Sequence, residues 1–266
     1  MKRRHFITSA LGGAASLRIL STPQTILAAD KSPEAREIYE LRAYHLGEGK
    51  RGDLLENYLA NAEIPALNRL GVKTVGVFEE IEPKGPAPLW MVVPYRSLEE
   101  FLTSSGSLAK DVEYSRLSKS YSETTKDKPA FARIDSWLLR AFAGMPNLTP
   151  PAAAKSKSSR IFEMRTYESF SEAKARKKVD MFNAGEIEAM QEVGLEPVYY
   201  GEALAGRDLP HLTYMLSGPD REAHKKHFDA FLKHPVWIKL KGDPQYADTV
   251  SKITSRFLKP KDYSQI

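Results

Sequence analysis

Polar and apolar side chains alternate through Ile38-Tyr39-Glu40-Leu41-Arg42-Ala43-Tyr44, and the same alternation returns 123 positions later as Ile161-Phe162-Glu163-Met164-Arg165-Thr166-Tyr167. A period of two marks a strand with two different faces. One face carries Glu40, Arg42 and Tyr44 in the first copy and Glu163, Arg165 and Tyr167 in the second, so the chain reads as a tandem repeat. After the opening strand the period changes. Leu54, Leu55, Tyr58, Leu59, Ala62 and Leu67 form a stripe at helical spacing, predicting a helix over 53–70 that Gly71 ends and Pro65 kinks. Strands are predicted over 72–81 and 89–95, joined by a Pro- and Gly-rich turn. A second helical region follows Tyr95, with Ser97 as N-cap and Glu99 and Glu100 in its first turn. A last strand is predicted over 132–142.

The second copy keeps the spacing of 123: Gly71 meets Gly194, Glu79 meets Glu202, Leu89 meets Leu212 and Leu117 meets Leu240. Arg140 and Arg256 then stand 116 apart, which predicts seven extra residues in the first copy within 121–129. Each copy is therefore β-α-β-β-α-β, a ferredoxin-like unit of the α+β class with helices on one face of an antiparallel sheet. A bare face carrying Trp90, Val92 and Tyr214 needs cover. The predicted architecture packs the two sheets face to face in a barrel-like pseudo-dimer, with domains at 36–142 and 160–260 and a Pro-, Ala- and Ser-rich linker at 143–159.

Composition changes this picture at the N-terminus. Arg3-Arg4-His5-Phe6-Ile7 precedes a short apolar run and Ala28-Ala29, the layout of an export signal over 1–29 resembling the twin-arginine motif. The reading places the mature protein in the periplasm or cell envelope without a membrane anchor. The formal charge of the whole chain is +5, but the signal holds four of its bases and no acid. What remains is near neutral, which removes any argument for nucleic-acid binding. The absence of cysteine excludes disulfides, iron–sulfur clusters, thiol catalysis and covalent haem attachment.

The Ile-Tyr-Glu-Leu-Arg-x-Tyr opening, the helix ending in Gly71 or Gly194, and the segment Phe231-Leu232-Lys233-His234-Pro235-Val236-Trp237 resemble the NIPSNAP family, within the dimeric α/β-barrel superfamily. The first copy departs from the pattern, with Asp111 and Tyr114 in the places of His234 and Trp237. The resemblance implies the barrel fold and no particular catalytic residues. Proteins of the same barrel include cofactor-free monooxygenases, haem degraders and haem peroxidases.

Candidate chemistry centres on the repeated motif. If its polar face lines the barrel, Glu40, Arg42, Tyr44, Glu163, Arg165 and Tyr167 could bind a small polar molecule; the alternative is a buried ion pair that fixes register. Glu63 and Glu186 either overhang the barrel mouth or face solvent. His224 and His227, at i and i+3, could share a face and reach a haem iron or a metal, though zinc would want a third ligand. His234 and Trp237 join the candidate ligand site, or else kink the chain and plug the core. No nucleophile elbow, phosphate-cradling loop or zinc motif is present, which leaves a hydrolase or kinase without support. Two readings remain: an exported small-molecule binder or enzyme, oxygen- or haem-related, and an interaction protein whose barrel is solid core. A pocket of several hundred Å³ lined by Tyr, Trp and the two arginines supports the first. A barrel filled by Trp90, Trp137, Trp237 and Met215 supports the second. A homodimer is compatible with either.

Overall fold

The computed structural model describes residues 35–46 and 52–266; the expected export signal lies outside them. Eight strands close into one antiparallel barrel in the order β1-β3-β2-β8-β5-β7-β6-β4. The first repeat supplies β1 (Ile38–His45), β2 (Gly76–Glu80), β3 (Leu89–Tyr95) and β4 (Arg133–Ala141). The second supplies β5 (Ile161–Glu168), β6 (Glu196–Ala205), β7 (His211–Gly218) and β8 (Lys252–Pro260). The two bare faces do meet inside, as the alternation predicts. In addition the sheet edges pair, β2 with β8 and β4 with β6, so the ring has no free edge.

Helices coat the outside. In the first repeat α1 (Gly52–Tyr58) runs through a π turn (Leu59–Glu63) into α2 (Ile64–Arg69), with Pro65 at the start of α2. A missing N–H is harmless there, so the kink expected at Pro65 is a π turn one step earlier. The helices α3 (Leu98–Leu108), α4 (Val112–Leu117) and α5 (Lys119–Ser122) follow, with Ser97 capping α3 as predicted. A short α6 (Ala152–Ser156) joins the repeats. In the second, α7 (Glu172–Met181), a π turn (Phe182–Glu186) and α8 (Ile187–Glu192) repeat the first arrangement, and α9 (Arg221–Phe231) and α10 (Pro235–Gly242) complete it. β2 is shorter than the pattern predicts, because Gly71 and Thr74 take positive φ and hold 72–75 out of the ladder.

The register corrects one sequence alignment. Arg42 pairs with Ser136 and Arg165 with Ser255, so the last strands are offset by 119 positions, and the first copy carries four extra residues. Arg140 and Arg256 are not counterparts. Arg140 points outward to Glu202, with Nε 2.7 Å from its carboxylate, whereas Arg256 occupies the inward place that Trp137 holds in the first repeat.

Strand parity divides the apolar residues into three cores. Tyr39, Leu41, Phe78, Phe162, Tyr199 and Met215 fill the barrel. Leu55, Leu59, Leu67 and Tyr95 pack between the first sheet and its helices, and Phe182, Met190, Tyr214 and Phe231 do the same in the second repeat. Two expected barrel residues are therefore elsewhere: Tyr214 faces the helices, because Met215 takes the inward position beside it, and Trp237 is half-buried on α10 against Phe231.

One end of the barrel is closed. Leu148 and Ile266 are buried among the residues of its lower interior, and Thr149 N–H donates to the Val198 carbonyl. The segment 143–159, expected as a loose linker, supplies this plug: its Met145 and Leu148 are buried, and Glu37 accepts from Leu148 N–H at 2.6 Å. The opposite end, ringed by the ends of β1 and β5 and the starts of β3, β4, β7 and β8, is open.

Candidate functional site

The repeated motif lies on the outer face of the sheet, beneath the helices, and not in the barrel. Since Tyr39, Leu41 and Ala43 point inward, Glu40, Arg42 and Tyr44 must point outward. Arg42 donates to both oxygens of Glu40 at 2.7 Å, to Glu63 Oε1 at 2.6 Å and to the Tyr44 hydroxyl at 3.1 Å. Glu63 is neither over the mouth nor in solvent: the π turn swings it onto the sheet, 3% exposed. Glu186 is placed identically at 1%.

The second copy solves the same problem with more parts. Arg165 donates to Glu163 Oε1 at 2.6 Å and to the Tyr167 hydroxyl at 3.2 Å. Its guanidinium sits over Phe228 at 4.8 Å, and Glu186 takes Lys178 instead, at 2.7 Å. Lys178 stands where the first copy has Leu55, enclosed by the rings of Phe182, Trp237 and Tyr167 at 4.5, 5.2 and 5.7 Å. Burial alone would raise the Glu163 carboxyl, but hydrogen bonds from His224 and Ser255 and the charge of Arg165 bring it to about 2. The motif is thus register-fixing glue in both copies.

The histidine pair does not make a ligand set. His224 is buried with Nε2 2.8 Å from Glu163 Oε2, wedged between Phe228 and Phe257. His227 turns instead to Gly194, where its ring takes the place a side chain would fill. The His224 nitrogen facing the sheet is already engaged by Glu163 and His227 points away to Gly194, so these residues do not fit haem. Among the described residues no cluster of three or more His, Asp or Glu could hold a metal ion. His234 caps α10, accepting from Val236 N–H at 3.3 Å with Nε2 3.0 Å from Glu192, and Pro235 begins that helix rather than kinking it. Neither His234 nor Trp237 borders the barrel interior.

The open end of the barrel is where a site is found. An inner cavity of about 120 Å³ lies among Leu41, Trp90, Trp137, Met164, Thr213 and His211. It shares Trp90, Trp137, Asp208 and Arg256 with an outer vestibule of about 380 Å³. The pseudo-two-fold axis runs along the barrel, so each position has a counterpart. In the first repeat Ala43 pairs with Trp90 and Leu41 with Trp137. In the second Thr166 pairs with Thr213 and Met164 with Arg256. One side of the mouth is an indole wall, the two rings 6.0 Å apart and 27° from parallel. The other is a hydroxyl shelf, with Thr166 and Thr213 3.0 Å apart.

Charge is arranged around this asymmetry. The Arg256 guanidinium lies 5.2 Å over the Trp90 ring with Nε 3.3 Å from Glu80 Oε1, the oxygen that also accepts from Trp90 Nε1 at 3.0 Å. In the vestibule Asp135 accepts from both Arg133 and Arg207 at 3.0 Å and lies 2.9 Å from His45. Glu80 and Asp208 border the same vestibule as Arg256 and Lys84, so acids and bases nearly balance around it. His211 is 4% exposed; its Nδ1 is 3.4 Å from Thr213 Oγ1, and its Nε2 is buried without a partner. Burial pushes its pKa down, so the ring is neutral near neutral pH. Sequence reasoning misses this site because the charged face of each opening strand is the more conspicuous; the signal lies on the other face, where Thr166, Thr213 and Thr254 interrupt an apolar interior.

Comparison with known proteins agrees with this fold. Residues 162–265 match the NIPSNAP family. A putative monooxygenase from Lactobacillus acidophilus superposes with a TM-score of 0.56 at 13% identity, over 85% of this chain and 94% of that one. Another, from Fusobacterium nucleatum, gives 0.54 at 10% identity over 85% and 93%. An anthrone oxidase-like protein gives 0.51 at 11% over 86% and 92%. No curated protein matches. Such identities speak for the fold alone. The family match covers the repeat that holds the complete His234-Pro235-x-Trp237 pattern and stops short of the one in which Asp111 and Tyr114 stand there. The second repeat of this chain is a NIPSNAP domain, and the two repeats together build the dimeric α/β barrel.

Proposed function

We propose that this chain is an exported protein that binds a small organic molecule in the open mouth of its barrel. The observation that carries the reading is the shape of the interior: a cup closed at one end by Leu148 and Ile266 and open at the other onto a cavity bordered by Trp90, Trp137 and Arg256. Two stacked indoles, a threonine shelf and a guanidinium around one concavity are the mixture of apolar walls and few polar groups that small-molecule sites use. Haem is set aside, since the inner cavity of about 120 Å³ is far below what a macrocycle needs and the candidate iron ligands lie elsewhere. Oxygen chemistry on a small bound substrate, in keeping with the names of the similar structures, remains the enzymatic form of this reading. The solid-core reading accounts for the lower barrel, where Tyr39, Phe78, Phe162 and Tyr199 leave no space, but not for the mouth.

A thermal-shift screen of small organic compounds tests this. A ligand at 100 times its Kd adds about 2.7 kcal/mol, which for a domain of this size raises Tm by roughly 5–10 °C. Thr254→Trp, which places an indole in the inner cavity, is expected to abolish the shift. Stabilising compounds that act equally on the Thr254→Trp variant, or no stabilising compound at all, overturn the assignment.

A further inference from the structure

The helices α3 and α9 are counterparts at the constant spacing of 123, since they span Leu98–Leu108 and Arg221–Phe231. They differ in what they show to solvent. On α9 the exposed stripe carries Arg221, Lys225 and Asp229, each with a partner: Lys225 donates to Asp229 at 2.6 Å one turn away, and Arg221 to Glu82 at 2.8 Å. Such a face is a solvated one. On α3 the same places hold Leu98, Leu102 and Gly106, and the exposed stripe includes Ser105 and Ala109. Leu98 and Leu102 are 46% and 66% exposed, and Val112, just past the helix, is 83% exposed. No residue from 101 to 109 is charged. Single exposed leucines are ordinary, but an uncharged helix face with two of them, in a chain whose other repeat charges the same positions, has the form of a surface that is covered.

What covers it follows from the ends of the helix. Glu99 lies in the first turn and Lys110 just past the last, close to three full turns apart and so on the same flank. Their neighbours are paired, Arg96 with Glu100 at 2.7 Å and Arg69 with Asp111 and Glu113 at 2.7 and 3.1 Å, whereas neither Glu99 nor Lys110 enters an ion pair among the described residues. A flank with an acid at one end and a base at the other is complementary to itself reversed. When a second α3 lies antiparallel across a two-fold axis midway between 99 and 110, Glu99 of each copy meets Lys110 of the other. The same placement sets Leu102 over Gly106 and Leu98 over Ala109. At Gly106 there is room for this: outside its own helix nothing lies within 4 Å of where a Cβ would stand, so a facing leucine can seat against the backbone.

We infer that the outer face of α3 is an interface for a second copy of this chain, an isologous antiparallel helix pair with Leu102 on Gly106 and Glu99 on Lys110 across the axis. The inference is independent of the ligand, because no residue of α3 borders the mouth. At 1.5 Å per residue the helix is about 16 Å long. A pair of that length covers less than about 1,200 Å² in all, so the dimer is expected at micromolar rather than nanomolar concentrations.

Sedimentation velocity of the full chain at low ionic strength, over roughly 1–200 µM, tests this, and the mean mass is expected to rise from one chain towards two. Leu102→Lys, the residue that α9 has there, is expected to weaken association tenfold or more. Gly106→Gln fills the seat while favouring the helix, so it should weaken the dimer with the Tm of the dilute protein unchanged or raised, an outcome that misfolding would not give. Glu99→Lys and Lys110→Glu each set like charges together at both ends of the pair and should weaken self-association. Mixed in equal amounts, they should form a heterodimer about tenfold tighter than either variant forms alone, because both contacts then become attractive. A chain that stays monomeric throughout overturns the inference, as does association unchanged by Leu102→Lys or a mixture of the charge variants that associates no better than its parts. A monomer that floats with vesicles of phosphatidylglycerol and phosphatidylethanolamine, and ceases to do so as Leu102→Lys, overturns it in favour of a membrane surface.

Discussion

Lys178→Met is the sharpest test of the helix–sheet layer. Lys178 and Glu186 are 3% and 1% exposed and 2.7 Å apart. Methionine keeps the aliphatic stem among Phe182, Trp237 and Tyr167 but leaves the Glu186 carboxylate buried and alone. Removing one partner of a buried pair costs about 3–5 kcal/mol. In a domain of this size that lowers Tm by roughly 6–20 °C. The double variant Lys178→Met/Glu186→Leu buries no charge and is expected to recover the loss, since replacing both members of such a pair is commonly neutral or stabilising by about 1–4 kcal/mol. The pH dependence follows from burial, which pushes the Glu186 carboxyl up from 4.5 against the downward pull of Lys178. Without Lys178 that pull is gone. A carboxyl raised in the folded state holds its proton longer than in the unfolded chain, so its contribution is full below about pH 4.5 and is lost as pH rises through the folded value. The deficit of Lys178→Met should therefore be smallest in acid and largest at neutral pH. Urea unfolding of the three proteins at pH 5 and pH 8 measures both effects. A loss under about 1 kcal/mol at pH 8, or a double variant less stable than the single, refutes the reasoning.

The remaining expectations follow from the same contacts. Arg42→Met strands two carboxylates, Glu40 and Glu63, whereas Arg165→Met leaves Glu186 its lysine and Glu163 its histidine; chemical unfolding should show the first costing more, by about 1–2 kcal/mol. Arg165→Ala should lower stability and leave ligand affinity alone, reversing what a barrel-lining motif would imply; a folded Arg165→Ala protein of normal stability with weakened ligand binding would restore the motif as a binding site. With Glu163 at about 2 against 4.5, its linked stability, on the order of 3 kcal/mol, is present above pH 4.5 and lost as pH falls towards 2. Glu163→Gln should flatten that acid limb, and an unchanged limb would assign it to other groups. Gly206 has φ +133 and lies against Trp137, where an added Cβ would overlap the indole. Gly206→Ala should displace Trp137, shift its emission and cost about 1–3 kcal/mol.

Much of the fold was legible because it depends on periodicity, which is local. The alternation at 38–44 and 161–167, the helical stripes and the constant spacing of 123 residues specify two ferredoxin-like units with one bare sheet face each. What was not legible depends on parity and closure. A strand pattern shows that two faces differ but not which one faces in, and the charge that Glu40-x-Arg42-x-Tyr44 repeats in the second copy marks the wrong face. The π turn at 59–63 carries no local signal, whereas the turn at 182–186 is broken at Gly185, whose φ is +126; both bring a glutamate, Glu63 or Glu186, onto the sheet. The last strands were misaligned by three positions because matching arginine to arginine ignores that Arg140 faces out and Arg256 faces in.

That misalignment conceals the point on which function turns. A tandem pair folded into one barrel is freed from the symmetry that two identical chains must obey, since each inward position can now differ from its counterpart. Below, where Tyr39 stands opposite Phe162 and Phe78 has Gly201 as its counterpart, the differences only tune how the floor is filled. At the mouth they change chemistry: Trp137 against Arg256, Trp90 against Thr213, Ala43 against Thr166. A symmetric dimer with Trp at both places would close the mouth with four indoles, and one with Arg and Thr at both would be a cationic, hydrated ring. Joining one of each yields a flat apolar wall facing a polar shelf, a combination that can orient an asymmetric ligand and that neither repeat could present to a copy of itself. The helix–sheet layers, by contrast, keep the same Glu, Arg and Tyr in both copies, as expected of parts whose task is to hold the barrel shut.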